Sequence, residues 1–105
     1  MFVKNENGLL ANLEGVERRV MSHGGTLMGV EFRFKKGAIG ALHSHPHEQI
    51  GYIASGSFEV TMDGKTETLK AGDTYYVPPN AVHGVVALED SVVFDAFTPH
   101  REDFL

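Results

Sequence analysis

The chain has 105 residues, of which 42% are hydrophobic, with seven Phe and three Tyr. That fills one small domain and one core, so residues 1–105 are expected to form a single domain. The net charge of −5 leaves no electrostatic footprint for nucleic acid, and an acidic ligand would need a local cationic site. The absence of cysteine excludes disulfides and thiolate metal sites. It fits a cytoplasmic location, as does an N-terminus, MFVKNENGLL, without an apolar run of signal-peptide length. No stretch approaches the ~20 apolar residues of a membrane helix, so neither a membrane nor nucleic acid is expected as a partner.

Along the chain, NGLLANLEGVERRVMS admits a helix, but Gly15 interrupts it and no cap supports it, so short strands are expected. From Thr26 to Phe34, Met28, Val30, Phe32 and Phe34 share one face and Glu31 and Arg33 the other. This period of two is that of a strand with one buried side. SFEVTM repeats it, with Phe58, Val60 and Met62 opposite Glu59 and Thr61. Asp63-Gly64 then signals a hairpin, with TETLK as the returning strand. TYYV, AVHGVVAL and SVVFDAF complete a series of short strands separated by Gly and Pro turns. The fold class expected is all-β, a small sandwich or barrel. Its edge strands would be exposed, and pairing into a homodimer through the N-terminal strand is one way to cover them.

HSHPHEQIG, residues 43–51, concentrates three imidazoles in nine positions. On a strand, His43 and His45 point to one face, and Gln49 shares their parity whereas Glu48 does not. Pro46 is able to introduce a bulge and reset that count. His47 has the same parity but follows the proline, which would swing it outward. His83 lies on a later strand after a Pro-Pro-Asn turn, where a small barrel would bring it opposite His43 and His45. Three imidazoles suit Zn, Fe, Ni, Cu or Mn with positions left open. A lone histidine reads as a surface or core residue; His-x-His with a further polar residue and a later His reads as a metal site.

These residues resemble the two motifs of the cupins. In GAIGALHSHPHEQIGYIASG, Gly37, His43, His45 and Gly56 fall in place, with Gln49 at the position of the usual carboxylate. In GDTYYVPPNAVH, Gly72, Pro78 and His83 match, Asn80 replaces the usual Gly, and Ala87 replaces the Asn that usually closes the motif. The 15 residues between the motifs, 57 to 71, suit a minimal single-domain cupin, a small β-barrel of jelly-roll type. With a carboxylate as fourth ligand, a divalent ion among neutral imidazoles leaves a site of net charge about +1; with Gln49 it keeps about +2. The more positive ion is a stronger Lewis acid and less suited to oxidised states, which favours non-redox chemistry on an acidic substrate.

The chain ends SVVFDAFTPHREDFL. Val93, Asp95 and Phe97 share one strand face, and Val92, Phe94 and Ala96 the other. A carboxylate in such a strand is costly unless paired or used, so Asp95 is either a structural cap or a working group. Arg101 by itself reads as an exposed charge. HSHPHEQIGY followed by DAFTPHREDFL resembles the small cupins of pectin and alginate breakdown, the KdgF type. That resemblance implies linearisation of 4,5-unsaturated monouronates, small acidic sugars, to 4-deoxy-5-keto-uronates. It implies one divalent metal ion (Zn, Ni, Fe or Mn) on His43, His45, Gln49 and His83, with Asp95, Phe97 and Arg101 in the catalytic pocket. Asp95 would move the proton, Arg101 clamp the carboxylate and Phe97 form a wall. Two other readings are a metal- or sugar-binding module without catalysis and a dioxygenase. The remaining histidines, His23 and His100, are expected to be exposed, Tyr75 and Tyr76 to serve packing, and Met21, Met28 and Met62 to fill core space.

Overall fold

A computed structural model describes residues 1–105. Ten strands run in chain order as β1 (Leu9–Leu13), β2 (Val16–Gly24), β3 (Leu27–Phe34), β4 (Ile39–His43) and β5 (Glu48–Ser55). They continue as β6 (Ser57–Met62), β7 (Lys65–Lys70), β8 (Thr74–Val77), β9 (His83–Ala87) and β10 (Ser91–Thr98). Single 3-10 turns lie at Asn5–Asn7 and Glu102–Phe104. No helix is long and apolar enough to cross a membrane. The N-terminal stretch is a strand pair turning at Gly15, as its interrupted pattern suggested. Asp63 and Gly64, both at positive φ, turn β6 into β7.

The strands form two antiparallel sheets, ordered β1-β2-β3-β10-β5-β8 and β4-β9-β6-β7. Side chains join them rather than a continuous ladder. Val16, Phe34, Ile53 and Val93 from the larger sheet meet Phe58, Val60 and Ala87 from the smaller in one buried cluster. The Phe34 and Phe58 rings meet edge-on at 5.1 Å between centroids, the arrangement that ring quadrupoles favour. This is the small β-barrel expected, flattened into two facing walls.

A second cluster, Val20, Met28, Val30 and Phe97, belongs to the larger sheet alone, with Phe32 and Phe104 packed on it. Phe104 comes from the C-terminal 3-10 turn, and its ring lies 5.9 Å from Phe97 and 6.1 Å from Phe32. The last residues therefore fold back over one end of the barrel. At the centre of the larger sheet, β10 sits between β3 and β5, so that Val93, Asp95 and Phe97 face inward while Phe94 is exposed.

Phe58 carries much of the contact between the walls and lies away from the histidines. Phe58→Ala should lower unfolding free energy by about 3–5 kcal/mol, the usual scale for emptying such a site. Urea denaturation measures it, and metal content of the folded fraction should be unchanged.

Candidate metal centre

Strand β4 ends at His43, whose backbone pairs with His83 at the start of β9. This places the two imidazoles side by side, 4.4 Å between ring centroids. His45 does not continue the strand as the parity argument assumed. Ser44 to His47 form the connection to β5, because Pro46 has no N–H to give a ladder. His45 turns inward all the same, buried and 4.8 Å from the His83 ring. A backbone bond of 2.8 Å from Asn80 N–H to the His45 carbonyl ties this connection to the Pro78-Pro79-Asn80 turn. Asn80 adopts φ +66°, a left-handed geometry that Asn tolerates better than most residues.

Parity holds within β5. Gln49, Gly51 and Ile53 are buried while Glu48, Ile50 and Tyr52 are exposed. Gln49 thus faces the imidazoles and Glu48 faces solvent. His47 is half-buried rather than swung outward: its ring stacks edge-on against His45 at 5.4 Å, because the Pro46 turn lays it beside the Phe97 wall. His23 and His100 are half-buried rather than exposed, and neither lines the central cavity. His100 approaches Glu102 at 3.6 Å.

The ligand atoms of His43, His45 and His83 lie within 4.8 Å of one another, close enough to share one metal ion. The hydrogen bonds prepare them for it. His43 Nδ1–H donates to the Ala41 carbonyl at 2.8 Å, and His83 Nδ1–H to the Ala81 carbonyl at 2.9 Å. A carbonyl only accepts, so each ring keeps its lone pair on Nε2, as a metal ligand requires. His45 Nε2 stands 3.1 Å from Gln49 Oε1. Two ligand atoms at right angles, each about 2.1 Å from a metal, would be about 3.0 Å apart. The donor set therefore fits a divalent ion. Burial, helped by the charges of Arg101 and His83, lowers the His45 pKa to about 4, so its ring is neutral at physiological pH. His83 is also lowered, mainly by burial.

Behind Gln49 lies Asp95, only 5% exposed. Tyr75 O–H donates to Asp95 Oδ1 at 3.1 Å, and the Gln49 amide draws the pKa of the same carboxyl down. Burial still dominates and pushes the Asp95 pKa up to about 7, against the pull of Gln49, Tyr75 and Arg101. Tyr75 rises well above its ordinary range through burial and the neighbouring Asp95. Room for this pair exists because residue 51 is glycine. A Cβ there would collide with the Tyr75 ring and approach Asp95 Oδ1 to 2.7 Å.

A cavity of about 220 Å3 connects these groups, lined among others by His43, Gln49, His83, Asp95, Phe97 and Arg101. Phe97 backs His45 edge-on at 5.8 Å. Arg101, mostly buried in its side chain, is held by Asp103 through Nε at 3.0 Å and Nη2 at 2.8 Å. Its guanidinium stacks over Phe104 at 4.2 Å. Sequence reasoning missed three residues here: Tyr75, Arg18 and Phe104. The first two were marked by alternation, since Tyr75 is in phase with buried Val77, and Arg18 with Val16 and Val20. Phe104 carried no such signal, lying in a tail without a period.

Comparison with known proteins agrees with this architecture. The cupin domain model matches residues 30–91. The pectin degradation protein KdgF of Dickeya dadantii is 48% identical over 94 residues, covering 88% of this chain and 86% of that protein. The solved structure of KdgF from a Halomonas species superposes with a TM-score of 0.94 at 40% identity, covering all of this chain and 98% of that one. An RmlC-like cupin from Shewanella frigidimarina also gives 0.94, at 37% identity, over 99% of this chain and 95% of that one. The two sheets, the paired histidine motifs and these likenesses agree: the chain belongs to the cupins, and within them to the KdgF type.

Proposed function

We propose that the protein acts in pectin or alginate breakdown, converting 4,5-unsaturated monouronates to linear 4-deoxy-5-keto-uronates. The observation that carries the proposal is the placement of buried Asp95 in one cavity with Arg101 and with two of the three convergent imidazoles, His43 and His83, in a chain 48% identical to a pectin degradation protein. The cavity volume of about 220 Å3 is below the ~300–1,000 Å3 of pockets for drug-sized ligands, which suits a single sugar ring.

His43, His45, His83 and Gln49 would hold one divalent ion. That ion would supply positive charge beside an oxygen on which negative charge develops. Linearisation breaks the bond between C1 and the ring oxygen, frees the proton of the C1 hydroxyl, and adds a proton at C4 to leave a ketone at C5. The atoms balance as an isomerisation. Asp95, protonated near neutrality, is the group that delivers the C4 proton, and the proton released at C1 restores it. Tyr75 fixes the carboxyl through its hydrogen bond. Arg101 meets the substrate carboxylate with its planar guanidinium, which Lys would not copy. Phe97 closes the wall behind His45 against water. A cytoplasmic location belongs to the same proposal.

The direct test is incubation with an unsaturated galacturonate monomer while following loss of the C4=C5 absorbance. The spontaneous reaction and chelator-treated protein are the controls. A rate no faster than the spontaneous one would reject the proposal.

Asp95→Asn separates an enzyme from a binding module. Turnover should fall by roughly 10²–10⁴, the scale of a positioned proton-transfer group. Metal content should stay the same. Because the folded-state pKa of Asp95 is raised to about 7, its contribution to stability is present at acid pH and lost as pH rises through that value. The Asn variant should therefore melt no lower than wild type at pH 8, with that advantage shrinking at pH 5. A variant that melts lower yet turns over normally would make Asp95 structural.

We also propose a homodimer paired through β1, an edge of the larger sheet on which Leu9, Leu10 and Leu13 stand exposed. Sedimentation at micromolar concentration should give twice the chain mass, and a monomer there would remove the proposal.

A further inference from the structure

Arg18 occupies an inward position of β2, between buried Val16 and Val20 and opposite Phe32 on β3. A guanidinium facing a barrel interior loses hydration and is normally paired. Three of the four arginines are paired, Arg19 with Glu17, Arg33 with Glu31 and Arg101 with Asp103. Arg18 has no carboxylate partner, and its Nε is buried without any hydrogen bond. Its side chain lines the same cavity as Asp95, Gln49 and Arg101.

Its position is fixed by Phe104. The Arg18 guanidinium carbon lies 4.1 Å from the centre of the Phe104 ring, and that of Arg101 lies 4.2 Å from the same centre. Both guanidinium groups thus stand against the same ring. The aromatic face holds each cation by its quadrupole and spares it some of the cost of like charge. The two arginines differ in what remains open to a ligand. Asp103 already occupies the Nε and Nη2 edge of Arg101, whereas no side chain of the protein engages the Arg18 guanidinium, whose Nε is itself closed off by burial.

We infer that Arg18 is a substrate-binding residue, the second guanidinium of a two-arginine site that takes the carboxylate of a small sugar acid and discriminates it from a neutral sugar. For the identity of the turned-over substrate this rests on the uronate proposal; for carboxylate binding it does not. Arg18 would act on ground-state binding rather than on proton transfer, because Asp95 and Tyr75 complete the proton-moving pair without it.

The test has two arms on the metal-loaded protein. In the first, D-galacturonate and D-galactose are titrated into wild type, Arg18→Gln and Arg18→Lys by calorimetry. Wild type should bind the acid in preference to the neutral sugar, and Arg18→Gln should weaken the acid by roughly 10- to 100-fold, the scale of a charge-assisted hydrogen bond. Arg18→Lys, which keeps charge but not the fork, should fall between them and serves as the reporter if the Gln variant fails to fold. In the second arm, KM for the unsaturated uronate should rise in the variants by a similar factor while kcat changes less than threefold. Equal galacturonate affinity in wild type and the folded variants would overturn the inference. A wild type that binds galacturonate through Arg18 but linearises nothing would instead reject the uronate proposal and leave this one standing.

Discussion

Between the three imidazoles and the buried Asp95 carboxyl lies a single amide, that of Gln49, whose oxygen stands 3.1 Å from His45 Nε2. The same amide also draws the pKa of Asp95 down. An amide has an acceptor on one side and a donor on the other, so it can serve an electron-poor ion and a carboxyl at once. Glutamate at this position would keep the acceptor but lose the donor, and would set a second carboxylate against Asp95. With an ion on the histidines, the neutral residue would preserve positive charge on that side and a proton-holding carboxyl on the other. What sits behind Gln49 bears on the departure from the usual cupin carboxylate as much as the charge of the site does.

The fold exists around this arrangement in a concrete sense. The β4–β9 pairing sets His43 beside His83, and the Pro78-Pro79-Asn80 turn anchors the loop that carries His45. The β5–β10 pairing sets Gly51 against Asp95, and the β5–β8 pairing sets it against Tyr75. Both sheets therefore contribute to the centre, and the missing side chain at residue 51 is what lets two polar groups approach inside it. The C-terminal tail supplies the remaining wall. Phe104 packs on the second apolar cluster and holds two guanidinium groups against its ring, so the cavity is cationic at one end within a chain of net charge −5.

The alternation of Met28, Val30, Phe32 and Phe34, and of Phe58 and Val60, made the strands legible because each has one buried face. The histidines were legible because spacing and residue type point to the same chemistry. His45 reached its place for a reason other than the one its spacing suggested, a loop held by a turn in place of a continuous strand. Spacing records which residues are near one another along the chain, and several backbone paths satisfy it. His47 shows the reverse, since the same proline that ends the strand lays its ring against His45 instead of turning it to solvent. Tyr75 and Arg18 were hidden because their roles depend on which strands become neighbours. Alternation shows that they face inward; the strand order sets Tyr75 against Asp95, and the folded-back tail sets Phe104 against Arg18.

X-ray absorption at the edge of the bound metal, paired with anomalous diffraction from metal-loaded crystals, reads the coordination sphere directly. The predicted result is one ion within bonding distance of His43, His45 and His83 through Nε2, with Gln49 Oε1 as a further ligand and its nitrogen still on Asp95. An ion ligated by Glu48 with Gln49 turned to solvent, or an ion bound away from the three histidines, would contradict it.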